Sequence, residues 1–196
     1  MNKIALGAAF CALAAAIPAA APAQRAGPAI VVVVDTARIF SECTACRAAQ
    51  TQLQTQLQQI QQRAQQLGQP IETDAAAIQT AVRALAGKQP DAALQQRITA
   101  LQARQNTANQ ELQGREQGFR RNQAYVAQQI NTRLNPIITQ VMTARGANIA
   151  VDKQATLASS ASLDVTSDVL AQLNQQLPSV NVNAPAAPAQ QQPTGR

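Results

Sequence analysis

From Leu53 onward the apolar residues recur at steps of four, three, four, three and four: Leu53, Leu57, Ile60, Ala64, Leu67 and Ile71. A stripe with that period is a heptad seam. It commits the chain to a helix with one narrow apolar edge, and such an edge is buried only against another helix. The rest of the composition suits long helices better than a compact globule. Aromatic residues make up 2% of the chain, with three Phe, one Tyr and no Trp, whereas Gln occurs 32 times. Large rings normally fill a core. Ala, Gln, Leu and Arg are instead good helix formers.

Gly68-Gln69-Pro70 interrupts the seam, and the missing N–H of Pro70 predicts a kink or a helix restart there. Ile78, Val82 and Leu85 then resume the apolar face. Gly87-Lys88-Gln89-Pro90-Asp91 is the clearest turn in the chain: Gly87 suits a helix end, Pro90 a first turn, and Asp91 the positive end of the next helix. The return helix shows Leu94, Ile98, Leu101, Ala108, Leu112, Phe119 and Val126. After a one-step slip come Ile130, Leu134, Ile137 and Val141, with Pro136 inside the pattern as a second expected bend. At about 1.5 Å per residue, residues 90 to 145 would span roughly 80 Å. The two helices form a long antiparallel hairpin with its tip near 87–91.

β-Branched segments lie on either side of this hairpin. Ile30 to Val34 reads as a strand buried on both faces, followed by an Asp35-Thr36 cap and a helix through Arg38-Ile39-Phe40. Asn148 to Asp152 reads as a second strand and Gln154 to Ser159 as a weaker third. Asp164 to Asp168 opens a last helix with Val169, Leu170 and Leu173 on its apolar face, ended by Pro178. The strands must pair, so the hairpin is an insertion protruding from a small β body. The expected class is α+β, with a body over 29–42 and 146–177 and a hairpin over 43–145. Fifteen to twenty strand residues, roughly, are too few to bury a core alone, and oligomerisation is the simple remedy. Residues 178–196 are expected to form a disordered Pro/Ala/Gln-rich tail.

The first 23 residues read as an address. Lys3, a 14-residue apolar run from Ile4 to Ile17, and Ala21-Pro22-Ala23 have the form of a cleaved secretory signal, too short to span a membrane. The expected compartment is the bacterial periplasm, and the domain proper is expected over 24–177. The chain has no His, which excludes Ser-His-Asp and Cys-His sites and His-ligated metals. No Gly-rich phosphate loop is present. An enzyme is a poor reading, and neither cofactor nor metal is expected.

Between residues 47 and 145 there are eleven Lys/Arg against five acids, a net +6. Summed over a hairpin, that charge can act as a funnel for acidic unfolded chains and for an anionic membrane surface. Nucleic acid fits poorly as the partner, because the chain is exported and offers almost no stacking surface. Cys43-Thr44-Ala45-Cys46 is a C-x-x-C motif in an oxidising compartment. No thioredoxin-like βαβ pattern surrounds it, so a local disulfide that clamps the first helical turn is favoured over a thiol–disulfide centre.

The arrangement resembles the Skp/OmpH family of periplasmic chaperones over roughly residues 29 to 177. The resemblance rests on the Ile30–Asp35 strand with Arg38-Ile39-Phe40, the Ala/Gln/Arg hairpin, the NPII…V…RGANIAVD pattern at 135 to 152, and Asp164-Val165-Thr166-x-Asp168-Val169-Leu170. It implies a jellyfish-like homotrimer, with a β body assembled across three chains and three helical tentacles. It also implies an ATP-independent holdase that keeps unfolded outer-membrane proteins from aggregating in the cavity between the tentacles. Arg97, Arg104, Arg115, Arg120 and Arg121 are then the candidate electrostatic client contacts. Contact with lipopolysaccharide is a further implication that the resemblance does not place on particular residues. The alternative is a structural coiled-coil envelope adaptor that docks a fixed partner through its hairpin tip.

Overall fold

A computed structural model describes residues 27–186. The signal reading of residues 1–23 and the end of the tail lie outside that range. The elements run β1 (Val31–Val34), α1 (Thr36–Glu42), α2 (Thr44–Ala84), α3 (Ala92–Ala144), β2 (Ile149–Asp152), two short 3₁₀ turns (Lys153–Ala155 and Ala161–Leu163) and α4 (Thr166–Gln176).

The β-branched run pairs as expected with the segment beyond the hairpin. β1 and β2 are parallel, with Val31 opposite Ile149 and Val34 opposite Asp152. On its other side β1 is bridged at Val33 by Asp164, and the Val165 N–H donates to the Val33 carbonyl at 2.9 Å. β1 is therefore the interior strand. The outer edge of β2 has no strand partner among the described residues.

The starts of α1, α2 and α3 are each capped by the side chain of the residue before them. The Asp35 carboxylate accepts from Arg38 N–H, the Cys43 sulfur from Cys46 N–H, and the Asp91 carboxylate from Leu94 N–H. These acceptors satisfy donors that have no partner within the helix.

The core lies where α3 returns to the body. Val126, Ile130, Leu134, Ile137 and Val141 of α3 pack with Ile39, Cys43, Cys46, Val165, Val169 and Leu173. The slip between Val126 and Ile130 falls where α3 enters this cluster, still beside Ala45, Cys46 and Ala49 of α2 and now also against α1 and α4. Thr166 is a fully buried polar residue. Its hydroxyl accepts from the Asp35 N–H at 2.8 Å and also bonds the Asp164 carboxylate, tying α1 to α4.

Three details bear on the sequence reading. α2 does not restart at Pro70, and α3 is continuous through Pro136. Both prolines sit on exposed faces, as do Gln66 and Thr132, whose carbonyls they leave unbonded, so water can take the missing bond. Residues 154 to 159 form no strand. The Asp152 carboxylate accepts from Gln154 N–H at 2.7 Å and turns the chain into a 3₁₀ turn instead. Residues 178–186, placed in the disordered tail, are packed: Val182 is buried and Val180 lies against the same core. The alternation Val180-Asn181-Val182-Asn183 outweighs the local Pro and Ala content.

Candidate functional site

The hairpin is the feature with no globular purpose, and its geometry can be built from the root upward. Cys43 ends α1 and begins α2, with the sulfurs of Cys43 and Cys46 at disulfide distance within the buried core. Above it, α2 and α3 are matched in antiparallel register by side chains. Asn122 Nδ2 donates to Gln56 Oε1 at 2.9 Å, Arg63 holds Glu111 through two bonds of 2.8 and 3.0 Å, and Arg104 pairs with Asp74. Glu111 also accepts from Arg115 at 2.9 Å. Hydrogen bonds from Arg63 and then Arg115 hold the Glu111 carboxyl down at about 2, against an ordinary 4.5. One carboxylate thus fastens two guanidinium groups, one from each helix.

The apolar seam is only partly covered. Ile78, Leu94 and Ala108 are buried in the shaft, whereas Leu53, Ile60, Leu67 and Ile71 are half-buried and Leu57 and Val82 are exposed at 40% and 43%. Two helices facing each other across Ala-rich positions cannot close over both edges of a stripe. A shallow apolar recess of about 360 Å³ opens midway along the shaft, lined in part by Ala64, Leu67, Ile71, Ala108 and Leu112.

The five candidate arginines lie on α3 over 24 residues, about 36 Å of helix. They do not form one surface. At about 100° per residue, Arg97, Arg104 and Arg115 share a stripe beside the seam, while Arg120 and Arg121 point elsewhere. Arg104 and Arg115 are engaged by Asp74 and Glu111. Arg97, Arg120 and Arg121 are exposed and make no ion pair among the described residues.

At the far end, Ala86 (φ 48°) and Gly87 (φ 90°) turn the chain through the left-handed region before Asp91 caps α3. At the near end, the body exposes Ile149 on β2 and Ile30 just before β1, and Leu157 and Leu163 in the segment that follows β2. Beside it, Lys153 lies 3.5 Å from Asp35 and 3.6 Å from Asp164. The Asp164 carboxyl is lowered chiefly by the Thr166 hydroxyl and N–H, and that of Asp152 chiefly by the Thr36 hydroxyl.

The site also contains residues that the sequence reading passed over. Glu111 is one, because a lone Glu between two Gln-rich turns carries no motif. Gln129 and Asn122 are two more: their carboxamides bond the main chain of residues 181 and 184. The period-two pattern at Val180 and Val182 was the available signal. What the arrangement can do is physical: an exposed basic shaft, incomplete apolar cover, and many amides able to make weak bonds. Among the described residues, no three His, Cys, Asp or Glu side chains come together as metal ligands. No helix among them is long and apolar enough to cross a membrane.

No curated protein matches the chain. Among solved structures, one similar chain is described as an OmpH-like outer membrane chaperone from Caulobacter crescentus CB15. It shares 22% identity and superposes with a TM-score of 0.64, over 82% of this chain and 95% of that one. At that identity the likeness establishes the fold: a long helical hairpin inserted in a small sheet-containing body. The family model for outer membrane protein (OmpH-like) matches residues 30–173, from the first residue before β1 to the buried Leu173 of α4. A match over that span covers both halves of the body and the whole hairpin between them, and the chain belongs to the OmpH-like family.

Proposed function

We propose that the protein is an ATP-independent periplasmic holdase that binds unfolded outer-membrane protein precursors between basic helical arms and prevents their aggregation. The observation that carries this reading is the hairpin itself. About 50 Å of α3 stands clear of the core with an incompletely covered apolar seam and exposed Arg97, Arg120 and Arg121, which make no ion pair among the described residues. Positive charge of this reach speeds encounter with acidic chains. Weak contacts spread over a long arm hold a client without imposing a structure, and losing any one of them costs little.

A cavity needs several arms. The open edge of β2, which carries the exposed Ile149, and the exposed apolar Ile30, Leu157 and Leu163 elsewhere on the body support assembly of the body from several chains, and the family resemblance favours three. The same basic arms suit contact with an anionic membrane surface or lipopolysaccharide. No step in this mechanism calls for catalysis or a cofactor. Arg97, Arg120 and Arg121 are the stronger candidates for client capture, with Arg104 and Arg115 serving first to hold the arms together. Cys43 and Cys46 serve the root of the hairpin.

The test dilutes a urea-unfolded outer-membrane barrel protein into buffer with the purified protein and follows light scattering at low and high salt. Suppression near three chains per client, weaker in high salt, is expected. No suppression at either salt would remove the holdase reading and turn attention to a fixed partner at the Ala86–Asp91 tip.

A further inference from the structure

Residues 178–184 leave α4 and run antiparallel to α3, from the body toward the shaft. Gln129 binds both main-chain groups of one residue: its Nε2 donates to the Asn181 carbonyl at 2.8 Å, and its Oε1 accepts from the Asn181 N–H at 3.0 Å. Seven residues earlier on α3, Asn122 Oδ1 accepts from the Ala184 N–H at 2.9 Å. From α2, Gln56 Nε2 reaches the Asn183 side chain at 3.3 Å. Two helical turns are about 10 Å, and three residues at full reach cover about the same. Burial alternates along the segment. Val180 and Val182 face the core cluster that contains Val126 and Ile130, while Asn181 and Asn183 face solvent. Every second residue inward suits extended chain through Val182; at Asn183 the chain bends, its N–H donating to the Asn181 side chain at 2.8 Å.

The grip is unusual in what it reads. Gln129 and Asn122 recognise N–H and C=O groups that every residue has; the side-chain contacts are one amide hydrogen bond, from Gln56 to Asn183, and apolar residues at alternate positions. That is also the pattern of a transmembrane β-strand before it folds, with apolar and polar residues in strict alternation. We propose that the groove at the hairpin root, flanked by Gln56, Asn122 and Gln129, is a binding site for unfolded strands of alternating apolar and polar residues. Residues 178–184 fill it as an internal stand-in that such a strand displaces. This deepens the holdase reading and rests on it: it names a local site and a gate. The tethered strap competes at high effective concentration, so only a chain offering many strands at once displaces it.

The test uses the full-length protein and a fluorescent nine-residue peptide, Pro-Ser-Val-Asn-Val-Asn-Ala-Pro-Ala, followed by polarisation. A peptide of the same composition with its apolar residues made adjacent is the control. Val182→Asp puts a carboxylate into the buried place of Val182 and is expected to release the strap while keeping Gln56, Asn122 and Gln129. It is expected to bind the alternating peptide about tenfold more tightly than the parent protein, because the competent state is no longer masked. Adding Gln129→Ala is expected to abolish that gain, and the control peptide is expected to show none. Equal peptide binding by Val182→Asp and the parent, with helicity and assembly state unchanged, would overturn the proposal and leave the strap a fixed structural part. If Val182→Asp loses helicity, Asn181→Pro and a chain ending at Leu177 carry the same comparison. Loss of the fold in all three would also overturn it, since a strap the fold cannot spare cannot yield to a client. Barrel-protein aggregation, measured alongside, separates the two readings. Failure of suppression removes the holdase. Suppression without any gain in peptide binding removes only the gated groove.

Discussion

The two ends of α3 live under different rules. From Val126 to Val141 the helix is body: its inward residues are nearly inaccessible, with Ile137 at 1%, and they touch α1, α4 and the strap. From Ala92 to Tyr125 it is shaft: it packs along α2, with Asn122 at its root also bonded to the strap, and two of its residues, Leu94 and Ala108, are buried. The body is held by area removed from water. The shaft is held by a thin seam and by discrete polar clamps at Gln56–Asn122, Arg63–Glu111–Arg115 and Asp74–Arg104. A packed core tolerates little, whereas a clamped ribbon can lose one contact and keep its path. A surface meant to meet varied chains belongs on the second kind of structure.

The contrast is sharpest for large-to-small changes. Ile137→Ala is expected to cost about 2–5 kcal/mol by denaturant unfolding, as for a buried aliphatic residue. Leu67→Ala in the half-buried seam is expected to cost about 1 kcal/mol or less. Equal costs would mean the shaft is packed as tightly as the body. Next in size is Thr166→Val, which leaves the Asp35 N–H without its acceptor. A loss of about 1–3 kcal/mol is expected, measured the same way. Gly87→Ala forces a side chain into the left-handed region at the tip and is expected to cost roughly 1 kcal/mol. Hydrogen exchange should place that loss in the upper shaft and leave amides of the body core unmoved.

The smallest effect concerns pH. Glu111 titrates near 2 in the folded protein against an ordinary 4.5. Because its folded value is depressed, its stabilisation is complete above the unfolded value and fades as pH falls from about 4.5 through about 2. Melting curves followed by circular dichroism between pH 5 and 2 should therefore show a shallower acid limb for Glu111→Gln than for the parent. Parallel limbs would show that the clamp contributes nothing. In capture kinetics, Arg97, Arg120 and Arg121 replaced together by Gln should slow client association several-fold at low salt, and high salt should erase the difference. An unchanged rate would assign capture to the apolar seam.

The sequence and the fold agree where one residue pattern has one physical solution. Four of the five β-branched residues made a strand, Asp91 made a cap, and a seven-residue period made a helix that needs another. Pro70 forced no restart of α2, because an exposed Pro in a long supported helix loses one hydrogen bond that water can replace. Pairing was illegible for a related reason. Nothing in a run of Gln and Arg says which guanidinium will meet Glu111 some fifty residues away and which will stay free. The strap was hidden by composition, since Pro and Ala around it outnumber the two valines that anchor it.

The body and the shaft share an uninterrupted helix, and that has a mechanical consequence. About 34 residues of α3 project beyond Val126, a rod of about 50 Å anchored at one end. A rod of that length multiplies angle into distance: a tilt of about 10° where α3 meets the core carries the tip through about 9 Å. Small repacking around Ile130 and Leu134, or the arrival and departure of a strap beside Val126, would thus be felt as a wide swing at Gly87. In such a lever the gripping surface and the part that sets its opening are different stretches of the same helix.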